Sequence, residues 1–459
     1  MHSHTHSKQR IKTMYANGRR FFLATLGILT FGGLSAQSKT SDTMSFNIVQ
    51  AIDFAMANNA DVKNAYADIA IANQTVKEVT AIGIPQLRGS VAFQDAIQKQ
   101  VFVFPINNVA TPIRVGNKYT TQAALNLSWL ILDGTYFLGL KSAKQFTDMS
   151  KKIASKTETD IKIDVTKTYF LCLITKENIA LINSTYNTLN KTFEQVKALN
   201  KEGFTEALDV DRMQLQINNL LISRQKLNDQ YQILLGALKV KIGLDQSTPI
   251  KLTDDISSLN ERFTGIDTTG GVNLAARTDY QVLQQQMVLN KLNVKRYQFG
   301  KYPNLAGAIT YQQSNFGEKI NYSKENWYSN SFIALQMNVP IFSGFSNDAK
   351  IQKAKIEVIK TEYTMNKVEN LISLEVMQNK LKYLRALEYV TQQKENLNLA
   401  TRILNVTTIK YNEGIGSNLE LITANQDLKT TQTNYLSAVY DLLVAKLDYM
   451  VASGQTIKL

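Results

Sequence analysis

Histidine, cysteine and proline are all scarce in this chain of 459 residues. Its three histidines are His2, His4 and His6, its one cysteine is Cys172, and it has only six prolines. The histidines precede an apolar stretch that reads as a cleavable signal, so the mature chain is expected to carry none. Imidazole general-base catalysis, Ser-His-Asp or Cys-His nucleophilic sites and His-ligated zinc then lack their essential group. Cys172 has no partner for a disulfide. Sequence signatures of a nucleophile elbow or a phosphate loop are also missing. An envelope hydrolase is therefore a poor reading, and no cofactor, metal site or catalytic residue is expected.

The chain also lacks any run of 18 or more apolar residues, which a membrane-spanning helix would need. Its longest apolar stretch, Phe21 to Leu34, is too short to span; Arg10, Lys12, Arg19 and Arg20 precede it and the small Ser35 and Ala36 follow. This is the pattern of a secretory signal peptide over residues 1–36, cut at Ala36/Gln37, with translation starting at Met1 or Met14. No cysteine stands near the cut to carry a lipid. Without Lys8, Arg10, Lys12, Arg19 and Arg20 the net charge falls from +13 to +8. A basic secreted chain has no nucleic acid to meet, and the charge reads as a solvated surface. Any entry into a membrane has to be made by strands.

What the chain does have is an internal repeat. Asp61 and Pro85 recur, with the same spacing between them, as Asp279 and Pro303. Ile131-Leu-Asp-Gly134 recurs as Ile341-Phe-Ser-Gly344. Lys201-Glu-Gly203 and Gly243 recur, again equally spaced, as Asn412-Glu-Gly414 and Gly454. The copies differ mainly by a longer connection between Pro85 and Gly134, which includes the apolar Val101-Phe-Val-Phe-Pro105. The expected units are 37–243 and 273–459, joined by a polar linker at 244–272.

Within each unit, the long segment between Gly139 and Gly203 or between Gly344 and Gly414 contains neither glycine nor proline. As single helices these would reach roughly 100 Å. Val165, Cys172, Ile179, Tyr186 and Phe193 follow a heptad spacing, as do Val376, Tyr383, Val390, Leu397, Leu404 and Tyr411, which predicts supercoiled seams. An earlier series, Ile351, Val358, Met365 and Ile372, is out of register with the latter and marks a stutter. Cys172 sits in such a seam and reads as a core thiol. After the glycines the pattern resumes at Val210, Ile217, Arg224, Tyr231 and Leu238 and at Leu421, Leu428, Tyr435, Leu442 and Tyr449. Gly203 and Gly414 therefore mark reversals between an ascending and a returning helix. Shorter helices are expected over about 61–83 and 279–300, ended by the prolines that follow.

Between each proline and each long helix the apolar period becomes two. Four amphipathic strands are predicted, at about 86–104, 117–132, 304–314 and 331–342. Such lengths suit a tilted membrane strand, but a soluble hairpin with one buried face shows the same alternation. Four strands cannot close a barrel, so several copies would be needed. Trp129, at a strand end, fits an interfacial anchor or a packed corner equally well.

With the tip segment Tyr411-Asn-Glu-Gly414-Ile-Gly-Ser417-Asn-Leu-Glu420-Leu-Ile-Thr-Ala424, the Ile84-Pro85 and Tyr302-Pro303 junctions and the Ile341-Phe-Ser-Gly344 corner in view, the chain resembles the TolC family of outer-membrane efflux proteins over essentially the whole mature sequence. The resemblance implies a mainly α trimer with twelve strands in one outer-membrane barrel and twelve long helices in a periplasmic α-helical barrel. It implies partnership with a periplasmic adaptor and an inner-membrane transporter, contact with outer-membrane lipid, and passive conduction of substrate without covalent chemistry. By the same resemblance Asp209 and Tyr411 match a periplasmic lock and Glu420 a constriction acid, while Gly203, Gly414 and Gly416 lie where adaptors dock. The family's lock arginine falls on Gly416 and its second constriction acid on Thr423, which leaves one carboxylate ring and a weaker latch. A helix N-terminus equally favours Asp209 and Glu420. The competing reading, a secreted coiled-coil structural or adhesion protein, gives no reason for two matched sets of strands.

Overall fold

A computed structural model describes residues 43–106, 109–256 and 271–455. The expected signal peptide, with its histidines and both candidate start sites, lies outside the described residues, as does 257–270 of the expected linker.

The described chain is mainly helical. Helix α1 spans Ile48–Asn58 and α2 Ala60–Ile82. Then come α3, Gly134–Lys201, and α4, Ala207–Ile242, of 68 and 36 residues. Helix α5 is Thr278–Phe299, followed by α6, Ser346–Asn412, and α7, Asn418–Ser453, of 67 and 36 residues. At about 1.5 Å per residue the longest helices run roughly 100 Å. Helix α3 packs against α2, α4, α5 and α7, and α6 packs against α5 and α7.

Local chemistry sets the ends of these helices. Asn47 and Gln50 form a capping box at α1, and Asp133 accepts from the amides of Thr135 and Tyr136 at the start of α3. Asn59 caps α2 and also donates to the Lys241 carbonyl at 2.7 Å, joining the start of α2 to the end of α4. There Gly243 is left-handed at φ 76°, and a Cβ on it would lie 2.5 Å from the Asn58 carbonyl oxygen. Only glycine fits both the turn and the approach.

Every member of the heptad series is buried or half-buried. Val165, Tyr169, Cys172, Ile372, Val376, Tyr383, Leu442 and Tyr449 belong to one apolar core, in which Tyr383 and Tyr449 stack at 6.2 Å. The two residues flanking the stutter, Ile372 and Val376, are both in it. A second cluster, Leu189, Phe193, Met213, Ile217 and Leu220, lies toward the first reversal. Burial pushes the Cys172 thiol up to about 12, which makes it inert.

The strands depart from the sequence pattern in number. Eight are present among the described residues rather than four. Strands β2 (Gln86–Asp95), β5 (Tyr119–Leu132), β7 (Asn304–Gly317) and β8 (Trp327–Asn338) form one antiparallel sheet in the order β2-β5-β7-β8. The expected strand at 86–104 is broken after β2: the last bond runs from the Ala96 amide to the Lys118 carbonyl, and a separate hairpin, β3 (Gln100–Ile106) with β4 (Val109–Val115), follows. Gly116, at φ 110°, supplies the kink on the returning leg. An ion pair between Lys99 and Glu318 ties the base of this hairpin to the end of β7. Strand β8 starts at Trp327, one turn of sequence ahead of the alternating pattern, and ends at Asn338, because Pro340 cannot continue the ladder.

The other two strands, β1 (Met44–Phe46) and β6 (Ile250–Leu252), pair in parallel and fasten the start of the described chain to the segment after α4. The Tyr169 hydroxyl of α3 donates to the Phe46 carbonyl and to Asp254 at 3.0 and 2.9 Å, and Asp254 also accepts from the Ile48 amide at 2.7 Å. Burial and the Asp254 bond push the Tyr169 hydroxyl well above the usual phenol range.

Candidate functional site

The two helix reversals are built alike. At the first, the Phe204 amide bonds the Leu199 carbonyl at 2.9 Å and Gly203 is left-handed at φ 81°. At the second, the Ile415 amide bonds the Lys410 carbonyl at 3.1 Å and Gly414 has φ 73°. Each amide reaches back over a left-handed glycine, the Schellman closure that satisfies the last carbonyls of a helix.

The two reversals enclose a cleft of about 710 Å³ lined from both halves of the chain, by Phe204, Asp209 and Arg212 on one side and Tyr411, Gly416 and Asn418 on the other. Of the residues singled out from sequence, Asp209, Tyr411, Gly414 and Gly416 meet there. Gly203 stands beside the cleft. Glu420 is exposed on the first turn of α7 and is not among the lining residues. Burial and the Asp209 charge both push the Tyr411 hydroxyl above its usual range. Arg212 stands 3.9 Å from Asp209.

Gly416 has a steric reason to be glycine. A Cβ there would lie 2.9 Å from the Tyr411 nitrogen and 3.1 Å from the Lys410 carbonyl carbon, while the Gly416 amide donates to the Lys410 oxygen at 3.0 Å. The backbone is folded so tightly that no side chain fits. The contact to Asp209 comes instead from Asn418, whose amide nitrogen lies 3.1 Å from the Asp209 carbonyl oxygen and 3.3 Å from its carboxylate. Sequence reasoning passed over Asn418. Its signal was a polar residue just ahead of Leu421, on the buried stripe of α7.

At the other end, the four-stranded sheet is amphipathic and bare. In register across it lie Leu87, Leu127, Ile309 and Ile333, with Gly89, Leu125, Tyr311 and Ser331 in a neighbouring row on the same face. The opposite face carries Arg88, Asn126 and Thr310, the last two hydrogen-bonded at 2.8 Å. Leu87, Val91, Leu125, Ile309, Ile333, Leu335 and Met337 are all exposed. Strands β2 and β8 each have one neighbour, so both edges of the sheet are open.

Residues 275–455, comprising α5, the second strand pair and the second long hairpin, match the family model described as outer membrane efflux protein. Over that segment the chain is similar to the outer membrane efflux proteins. Nodulation protein T of Rhizobium leguminosarum bv. trifolii is 22% identical over 416 residues, covering 88% of this chain and 85% of that protein. Among solved structures, the outer membrane protein VceC of Vibrio cholerae superposes with TM-score 0.70 at 15% identity, covering 89% of this chain and 96% of that one. The Campylobacter jejuni CmeC outer membrane channel gives 0.71 at 15%, with 95% and 94% covered. At these identities the structural likeness is one of fold. Among the described residues no helix is long and apolar enough to cross a membrane.

Proposed function

We propose that this protein is the outer-membrane channel subunit of an efflux or secretion assembly, a homotrimer that conducts substrate passively from an inner-membrane transporter and a periplasmic adaptor. The observation that carries the reading is the bare sheet. An apolar face of this extent, bounded by two unpaired edges, is unstable in water. Three copies joined β8 to β2 give twelve strands, satisfy every edge and turn the apolar face to lipid. The polar face then lines the pore, and the long helices extend it as a second barrel.

In this reading Glu420, Asp209 and Tyr411 form the periplasmic constriction, and the turns at Gly203, Gly414 and Gly416 form the surface offered to the adaptor. The units 37–243 and 273–459 act as two equivalent halves of one subunit. A secreted coiled-coil rod is disfavoured by the family kinship and by the sheet, which a rod would leave exposed.

Electron microscopy of the detergent-extracted protein tests this. The expected particle is a threefold hollow tube with a detergent belt at one end and a helical barrel of roughly 100 Å beyond it. A solid or unsymmetrical rod without a belt would overturn the proposal.

A further inference from the structure

We propose that Asn418 is the positioning residue that holds the helix tips closed, performing with a neutral amide what the absent arginine at residue 416 cannot. This deepens the channel reading and rests on it. Asn418 stands on the first turn of α7, in the second half of the chain, and Asp209 on the first turn of α4, in the first half. The two bonds from the Asn418 amide to Asp209 therefore span the two halves at the mouth of the cleft. A second side-chain bond between α4 and α7, Gln216 to Gln426 at 2.7 Å, is exposed and joins two neutral amides. Asn418 is 6% exposed and one of its two bonds ends on a carboxylate, which makes it the stronger clasp.

The orientation of the amide is fixed by chemistry. Both groups it meets on Asp209 are acceptors, so the nitrogen must face them. That leaves the Asn418 Oδ1 buried with no hydrogen-bond partner among the described residues. A buried unsatisfied acceptor is unfavourable. It is unnecessary for folding the helix, since Ser417 already caps α7 by accepting from the Glu420 amide at 3.2 Å. An amide kept at such a position, on a stripe otherwise formed by Leu421 and Ala424, serves the contact with Asp209. The same stripe would accept a leucine, which removes the orphaned acceptor and the clasp together.

The test is single-channel conductance of the reconstituted full protein, compared with Asn418→Leu, Asn418→Asp and the exchange Asp209→Asn with Asn418→Asp. Losing the clasp should raise the open fraction about tenfold, the factor carried by about 1.4 kcal/mol. Asn418→Asp should open the channel more as pH rises, because two adjacent carboxylates repel once both are ionised. Arg212 and Tyr411, the other titratable groups lining the cleft, lie beside that pair, and Arg212 softens the repulsion. Acidification should close this variant again, a response a packing role would not give. The exchange variant restores a donor facing a carboxylate but leaves the residue 209 carbonyl, which Asn418 also serves at 3.1 Å, without its donor, so it should conduct between Asn418→Asp and the native protein. Assembled Asn418→Leu and Asn418→Asp channels that conduct like the native protein at every pH would overturn the proposal and leave the channel reading standing. A native protein that forms no channel at all would remove both.

Discussion

The indole of Trp129 in β5 occupies the space a side chain on Gly307 of β7 would need. The two residues are register partners, and a Cβ at residue 307 would stand 2.4 Å from the indole Cζ2. Trp129 follows Leu125 and Leu127 on one face of β5, so its ring lies over Gly307 on the apolar side of the sheet. Gly307→Ala should destabilise the solubilised protein by about 1–3 kcal/mol, the usual cost of overpacking, and Trp129→Leu in the same background should recover part of it. Thermal unfolding in detergent reads both. An unchanged midpoint for Gly307→Ala would mean the ring is not held there.

Arg277 closes the start of α5 onto two neighbours. Its guanidinium donates to Asp279 and Glu375 at 2.8 and 2.9 Å and to the Ala452 carbonyl at 3.2 Å, and its side chain is 10% exposed. Burial alone would raise the Asp279 carboxyl, but Arg277 more than offsets this and leaves it below the ordinary value. A depressed folded-state value means that the stabilisation is complete above the unfolded value, near about 4, and is lost as pH falls through the folded one. Arg277→Met should cost about 1–3 kcal/mol at neutral pH, discounted for the exposure of both carboxylates, and should flatten the loss of stability below about pH 4. Denaturant titrations at pH 7 and pH 3 check this. Equal acid sensitivity in both proteins would place the titration elsewhere.

How much of this was legible in the sequence differs between the helices and the strands. Heptads and long stretches free of glycine and proline are strong local signals, and Val165, Cys172, Val376 and Tyr383 all lie in the core. Gly139 and Gly236 lie inside α3 and α4 without ending them, since one glycine costs only about 1 kcal/mol against the packing of a long helix. Alternation alone could not divide 86–104, because the residues of β3 are apolar on both faces and hide the break at 96–99. The pairing of β1 with β6 sets Met44 against Ile250 and Phe46 against Leu252, partners so distant along the chain that no local window reaches both. At the tips, the motif drew attention to Asp209, Tyr411 and Gly416, but the bond from Asn418 depends on how two hairpins meet and has no local signature.

The tightness of the second reversal separates this chain from the family pattern it resembles. Restoring the family's residue with Gly416→Arg should not create a lock, because the new Cβ would collide with the backbone at Lys410 and Tyr411 before the guanidinium could reach Asp209. The expected outcome is a displaced turn and a leakier channel, with conductance above that of the native protein. A tighter channel would show that the turn yields and that an arginine can work from this position.

Glu420 presents the sharpest choice between two physical roles. It is exposed on the first turn of α7, where its amide donates to the Ser417 hydroxyl. One role is local: a carboxylate near a helix N-terminus favours the helix by about 0.3–1 kcal/mol. The other is collective: three copies around a pore axis form a ring that attracts cations. Glu420→Gln keeps the shape and removes the charge, so it separates them. If the ring exists, divalent cations added from the helical end should block the native channel and should block the variant about tenfold less well or worse, a difference of about 1.4 kcal/mol that exceeds the dipole effect. If the dipole is the whole role, block should be unchanged while thermal stability falls slightly. Because Ser417 keeps its cap in either case, loss of block could not be ascribed to an unwound helix.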